Sequence, residues 1–317
     1  MNKPLVMRIS SWTDRMKERL EEHFEVISMP ENLSGFIDDE EGKRVEGILT
    51  DGHLGVPAEA LKNLPSLKCV SVYGVGYDGV DVETAVDRGV MVTHTPNVLN
   101  AEVASTAILL ALACHRHLVR DDAYVRSGQW EEKGAAPLTT SMDGRTVGIL
   151  GMGRIGQAIA AKFEAFDCPI LYHTRSKKDV PYEYVDDLTE MARRANILVV
   201  ITPGGDATRK LVNAEVLEAL GPQGVLVNVA RGTVVDEAAL IDALQDGTIM
   251  GAGLDVFEDE PRVPMALRES DKTVLLPHVG SGTVETRQAM GDLACDNLIS
   301  FFKDGKAQTP VPECADL

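Results

Sequence analysis

The chain has 317 residues, 44% hydrophobic and 25% charged, a size that predicts two domains of ordinary globular composition. Its net charge of −18 argues against nonspecific nucleic-acid or anionic-membrane binding, and no run approaches the ~18 apolar residues of a membrane span. The five cysteines are scattered without a C-x-x-C pair and the N-terminus lacks a long apolar stretch, so reduced thiols, no metal site, no signal peptide and a cytoplasmic protein are expected.

Leu5 to Ile9 is apolar enough for a first strand, and Asp14 to Glu22 has helical spacing. Short buried strands are predicted at Glu25-Val-Ile, Gly47-Ile-Leu-Thr and Leu67-Lys-Cys-Val-Ser-Val, separated by helical or turn-rich segments. That alternation implies a parallel sheet covered on both faces. Tyr73-Gly-Val-Gly-Tyr-Asp follows at the carboxyl end of such a strand. Two readings stand: the N–H groups of Val75 and Gly76 hold a small carboxylate, or the stretch is a turn capped by Asp78 or Asp81.

Val90-Met-Val-Thr is another strand, and Pro96 breaks the regularity after it. Asn100 is expected to cap a long helix through Val119, apolar nearly all round and so buried between domains or against another subunit. His115 and His117, near its end, are expected to meet helix-end carbonyls rather than a metal. Gly128-Gln-Trp130 is read as the end of the next helix, with the indole packing at a subunit contact or reaching a neighbouring site.

Thr146 to Gly156 reads Thr-Val-Gly-Ile-Leu-Gly-Met-Gly-Arg-Ile-Gly: an apolar strand, three glycines spaced G-x-G-x-x-G, then helix. Gly151 permits the turn, Gly153 leaves the backbone bare for a pyrophosphate, and Gly156 lets helix and sheet approach. The helix N-terminus favours the phosphate charge. The next strand, Ile170 to His173, ends in Thr174-Arg175-Ser176-Lys177-Lys178. A carboxylate there would bind the ribose 2′-OH of NAD; hydroxyls and a guanidinium suit a 2′-phosphate instead, so NADP is the expected cofactor, with NAD the alternative.

Further strands at Asn196–Ile201, Val225–Ala230, Ile249–Val256 and Thr273–Leu276 alternate with helices, and a last helix from about Val284 to Phe302 is expected to pack on the N-terminal domain. Arg231, Glu260 and His278 each stand just past a strand end. Singly, each has a structural explanation. Together they suit carbonyl reduction: Arg231 pairs with the carboxylate of a 2-oxo acid, His278 gives a proton to its carbonyl oxygen, and Glu260 orients the imidazole. No G-x-S-x-G and no Cys beside a base point to nucleophilic catalysis.

Gly-Met-Gly-Arg-Ile-Gly, Asn-Val-Ala-Arg231-Gly, Leu-Asp255-Val-Phe-Glu-Asp-Glu260-Pro and Leu-Pro-His278-Val-Gly-Ser together resemble the D-isomer-specific 2-hydroxyacid dehydrogenases, over nearly the whole chain. The resemblance implies an α/β fold of two doubly wound parallel-sheet domains. A Rossmann cofactor domain (99–286) is inserted in a flavodoxin-like substrate domain (1–98 plus 287–317). It implies substrate binding by Arg231, support by Glu260, acid/base work by His278, and a carboxamide contact from Asp255. Arg154, Ile155, Thr202, Pro203, Val229, Ala230 and Gly280 would line the cofactor, and the assembly would be a homodimer. Leu54, the 73–77 loop and Trp130 would shape the substrate pocket. The Thr-Arg-Ser turn and the Gly-Val-Gly-Tyr-Asp loop look like the NADPH-dependent glyoxylate/hydroxypyruvate reductase branch, whose small 2-oxo acids are the expected partners. Thr202-Pro-Gly-Gly departs from the commoner Leu-Pro-Leu-Thr, and Glu260 argues against formate dehydrogenase. Two alternatives remain: a redox-sensing co-repressor-like binder with little turnover, or a dehydrogenase of bulkier or phosphorylated 2-hydroxy acids.

Overall fold

Runs of β-branched and aliphatic residues, largely buried in all but the edge strands Glu25–Ser28, Glu183–Tyr184 and Thr273–Leu275, build two parallel sheets, which the computed structural model describes over residues 3–317. The chain divides into two units: one comprises the segment up to Leu99 together with Thr283–Leu317, the other Asn100–Gly282.

In the first unit, β1 (Leu5–Arg8), β2 (Glu25–Ser28), β3 (Val45–Thr50), β4 (Cys69–Val72) and β5 (Met91–Thr93) form a five-stranded sheet in the order β2-β1-β3-β4-β5. That is the flavodoxin-like order. The helices between them are α1 (Asp14–His23), α2 (Leu33–Asp38), α3 (Ala58–Asn63) and α4 (Val82–Asp87). Thr13 caps α1 by accepting from the Met16 N–H, and α1 buries Met16 and Leu20. The returning C-terminal helix (Val284–Asp304) packs on α1 and β4, as expected for the last helix. Arg15 and Arg19 pair with Asp292, and Arg19 also with Asp296, pinning α1 to this helix.

The second unit opens with α5 (Asn100–His115), α6 (Leu118–Arg126) and α7 (Gln129–Lys133). Its seven parallel strands are β6 (Val147–Leu150), β7 (Ile170–His173), β8 (Glu183–Tyr184), β9 (Ile197–Val200), β10 (Val225–Asn228), β11 (Gly251–Leu254) and β12 (Thr273–Leu275). They lie in the order β12-β11-β10-β9-β6-β7-β8, the Rossmann arrangement extended by one strand. The order reverses at β6, so the glycine turn leaves the sheet at its switch point. Helices α8 (Arg154–Glu164), α9 (Leu188–Arg194), α10 (Ala214–Leu220), α11 (Glu237–Gln245) and α12 (Met265–Arg268) complete the unit. Met191, Leu198, Leu217, Leu226, Leu240 and Leu267 meet in its core, each fully buried aliphatic contributing about 2 kcal/mol.

Several local expectations are corrected. The long helix through Val119 is two, bent by 62° where His117 takes a left-handed φ of +46°. Asn100 is the first residue of α5 rather than its cap. Gly128 is the N-cap of α7, so Trp130 lies inside a short helix and not at the end of one. His115 meets a side chain, Thr140, and not a helix-end carbonyl: its Nδ1 is 3.0 Å from the Thr140 hydroxyl. The run 101–115 is buried as expected along much of its length, with α5 packed on α8, β10 and β11.

Candidate active site

The glycine turn follows a strand buried at all four residues. Gly151 has φ +110°, and a Cβ there would stand 2.8 Å from the Ile201 backbone, so only glycine fits between β6 and the end of β9. A Cβ on Gly156 would stand 2.1 Å from the Gly151 carbonyl oxygen, which sets how closely α8 approaches the turn. Gly153 differs: a Cβ there meets nothing within 4 Å. It offers no capping side chain to the first turn of α8. The turn is thus closed where it packs and open where α8 begins, which fits an anionic group held by main-chain N–H groups.

At the end of β7, the Thr174 hydroxyl donates to the Ser176 carbonyl at 2.7 Å. Tyr184 donates to the Thr174 carbonyl and Tyr172 to that of Lys178, at 3.2 and 3.0 Å. These bonds fix the turn's backbone and leave Arg175 exposed. Thr202 and Pro203 follow β9, where the Thr208 hydroxyl donates to the Pro203 carbonyl at 2.8 Å.

Arg231 sits on a short connection built by Asn228, a buried residue that opens the Asn-Val-Ala-Arg231-Gly run but to which the sequence assigned no role. Asn228 Oδ1 accepts from the Ala230 N–H at 3.1 Å, and its Nδ2 donates to the Arg231 carbonyl at 3.0 Å. A buried amide at the carboxyl end of an otherwise aliphatic strand was the available signal. Arg231 Nη1 donates to the Ala230 carbonyl at 2.8 Å. Next to it, a Cβ on Gly232 would stand 1.9 Å from the Phe257 carbonyl carbon, so the Arg231 loop lies directly on the segment that carries Glu260.

Glu260 is held at both oxygens. Oε1 accepts from the Phe257 N–H at 3.0 Å, and Oε2 lies 2.7 Å from His278 Nδ1. The Glu260 side chain is 15% exposed and that of His278 39%, so the carboxylate is sheltered while the imidazole remains open. His278 has φ +52°, a left-handed conformation costing a non-glycine residue roughly 1 kcal/mol or more. Asp255 holds that bend. Its carbonyl accepts from the His278 N–H at 2.8 Å, and its two carboxylate oxygens accept from Val279 and Gly280 at 2.7 and 2.8 Å. Burial pushes the Asp255 carboxyl above its ordinary range, against the two N–H donors and His278.

Arg231, Glu260, His278, Asp255, Val229, Ala230 and Gly280 all cluster around the ends of β10, β11 and β12 in the second unit, as do the glycine turn, Thr202 and Pro203 around β6 and β9. The first unit carries the other three expected residues. Val75 and Gly76 lie between β4 and α4, and among the described residues neither N–H donates a hydrogen bond. Asp81 caps α4 by accepting from Thr84, so the capping reading of this stretch holds for that residue. The Leu54 N–H donates to Asp51 at 2.8 Å, and its side chain is exposed. The five cysteines are free and buried, and no group of three or more metal-ligating side chains occurs among the described residues.

The family model of the D-isomer-specific 2-hydroxyacid dehydrogenase NAD-binding domain matches residues 108–280. The chain is 47% identical over 268 residues to glyoxylate/hydroxypyruvate reductase A of Arabidopsis thaliana, covering 84% of this chain and 85% of that one. It is 41% identical to the 2-ketogluconate reductase of Gluconobacter oxydans, covering 98% and 99% of the two chains. Its structure is similar to that of an NADPH-dependent glyoxylate/hydroxypyruvate reductase from Sinorhizobium meliloti in complex with NADP and malonate. The TM-score is 0.93 at 47% identity, over 99% and 98% of the two chains. The protein belongs to the D-isomer-specific 2-hydroxyacid dehydrogenase family.

Proposed function

We propose that this protein is an NADPH-dependent reductase of small 2-oxo acids, such as glyoxylate and hydroxypyruvate, giving D-2-hydroxy acids. The observation that carries the reading is the 2.7 Å pair of His278 Nδ1 and Glu260 Oε2. With Nδ1 committed to a carboxylate, Nε2 is the nitrogen left to exchange a proton with substrate oxygen. Glu260 stabilises the charged imidazole and fixes its plane, and Arg231 pairs with the substrate carboxylate and polarises the carbonyl. In the substrate domain, the N–H groups of Val75 and Gly76 would bind a carboxylate, and Leu54 would border the substrate. NADPH, when bound, supplies the hydride. Gly151, Gly153, Arg154, Ile155 and Gly156 would hold its pyrophosphate, and Thr174, Arg175 and Ser176 its 2′-phosphate. Thr202, Pro203, Val229, Ala230, Asp255 and Gly280 would line the remainder.

The substrate domain is proposed as 1–98 plus 287–317 and the cofactor domain as 99–286. The protein is proposed to work in the cytoplasm as a homodimer. Supporting the dimer, Leu118, Val119, Val125, Trp130 and Leu138 all expose apolar side chains in one stretch of the chain, and light scattering tests it. Steady-state reduction of glyoxylate, hydroxypyruvate and phenylpyruvate with NADPH and with NADH tests the activity. Turnover of none overturns it, and equal or better rates with NADH remove the cofactor preference. The similarity to a 2-ketogluconate reductase favours a second reading, a longer 2-oxo acid, which the same assay extended to 2-ketogluconate decides.

A further inference from the structure

We infer that His94 is a positioning residue that aims the Gly76 N–H at the substrate carboxylate, an inference that rests on the proposed role of the 75–76 backbone. His94 follows β5 and is 5% exposed. Its Nδ1 lies 2.9 Å from the Val75 carbonyl oxygen. A carbonyl only accepts, so Nδ1 carries the proton. The single cis peptide among the described residues is Glu260–Pro261, so the Val75–Gly76 peptide is trans. In a trans peptide, C=O and the following N–H point in opposite directions. Holding the Val75 carbonyl against the imidazole therefore turns the Gly76 N–H the other way.

This peptide needs such a hold. Gly76, on its C-terminal side, imposes little steric restraint on rotation of the peptide plane. A flipped peptide would present a carbonyl oxygen where an anion is meant to bind, replacing attraction by repulsion. His94 is fixed through both backbone and ring. Its own backbone carbonyl accepts from Asn297 Nδ2 at 3.3 Å and from the Thr309 hydroxyl at 2.6 Å. Its ring meets that of Tyr77 edge-on, centroids 5.4 Å apart, and the Tyr77 hydroxyl donates to Glu313 at 3.1 Å. The next residue, Thr95, donates its N–H to the Gly74 carbonyl at 2.8 Å, so successive carbonyls of the loop are held by successive residues after β5.

The test exploits side-chain geometry. Asn Nδ2 stands the same number of bonds from Cα as His Nδ1, whereas Leu puts a methyl there; both remove the ring from Tyr77. In the full-length protein, His94→Leu is expected to raise KM for glyoxylate about tenfold, with kcat and the Kd for NADPH within about threefold of wild type. His94→Asn is expected to keep KM within about threefold. Equal KM values for the two variants, or a wild-type KM in His94→Leu, overturn the inference while leaving the reductase reading intact. Should His94→Leu not fold, His94→Ala takes its place under the same criteria. A wild-type protein that reduces no 2-oxo acid overturns both readings together.

Discussion

His278 and Glu260 meet at 2.7 Å through Nδ1 and Oε2, although they stand 18 positions apart in the chain. The bond leaves Nε2 as the imidazole's working nitrogen and puts a negative charge behind it. Replacing His278 by Gln removes the proton donor and is expected to lower kcat for glyoxylate reduction by about 10² to 10⁴. Glu260→Gln keeps a hydrogen-bond acceptor but removes the charge, so a smaller loss of about tenfold is expected. Cofactor affinity, measured by fluorescence titration, stays near wild type in both. A His278→Gln enzyme with more than a third of wild-type kcat would remove the imidazole from the reaction.

The topology was legible in the sequence because apolar strands and glycine turns mark their own boundaries: β6, β9 and β10 are aliphatic runs buried at all four positions. The trio was legible because its members follow strands at short range: Arg231 three residues after β10, His278 three after β12 and Glu260 six after β11. What escaped lay in polar residues whose partners are distant or whose employer is the backbone. Asn228 reads as the end of a strand, yet it shapes the connection carrying Arg231. His94 reads as a residue before a Thr-Pro break, and only the fold brings it to Val75, 19 positions earlier. Gly232 closes the Asn-Val-Ala-Arg231-Gly run, but only the fold shows why it is glycine: the backbone of Phe257 stands where its side chain would be. The break at His117 was missed for another reason: apolar content continues through it, and composition does not report a left-handed residue.

Gly153 separates binding from folding. Its φ of −82° and ψ of −164° suit any residue, and a Cβ there meets no neighbour within 4 Å. Gly153→Ala is therefore expected to fold with a stability loss below about 1 kcal/mol, read by urea denaturation. The added methyl lies where a pyrophosphate must approach the start of α8, so the Kd for NADPH is expected to rise at least about tenfold. Unchanged affinity would place the phosphates elsewhere.

Arg175 carries the choice between the two nicotinamide cofactors. Its turn is fixed by Tyr172 and Tyr184 and holds no carboxylate between Thr174 and Lys178, so removing the guanidinium alters charge and donors without loosening the backbone. Arg175→Gln is expected to raise KM for NADPH by about 10- to 100-fold, the loss of charge-assisted bonds to a phosphate, and to leave KM for NADH within about threefold. A parallel loss with both cofactors would assign Arg175 to something the two share.

His115 links this fold to acid. It is fully buried at the end of α5, its Nδ1 3.0 Å from the Thr140 hydroxyl and its Nε2 without a partner among the described residues. Burial, reinforced by Arg145 and His117, pushes its pKa down from 6.5 to about 4. The unfolded chain takes up a proton near pH 6.5, whereas the folded chain resists it until about pH 4. The unfolded state therefore binds more protons in that window, and folding stability falls as the pH drops through it. At pH 5 this one group costs about 2 kcal/mol relative to pH 8, where both states hold it neutral. Urea denaturation at pH 8 and pH 5 measures the drop. His115→Leu removes the titration and fills the site with an apolar group, so the variant's own drop between the two pH values is expected to be smaller than wild type's by about 2 kcal/mol. The other histidines and the carboxylates titrate in both proteins and cancel in the comparison. Identical drops would mean that the buried imidazole is protonated in the folded protein at pH 5, with an acceptor reaching Nε2.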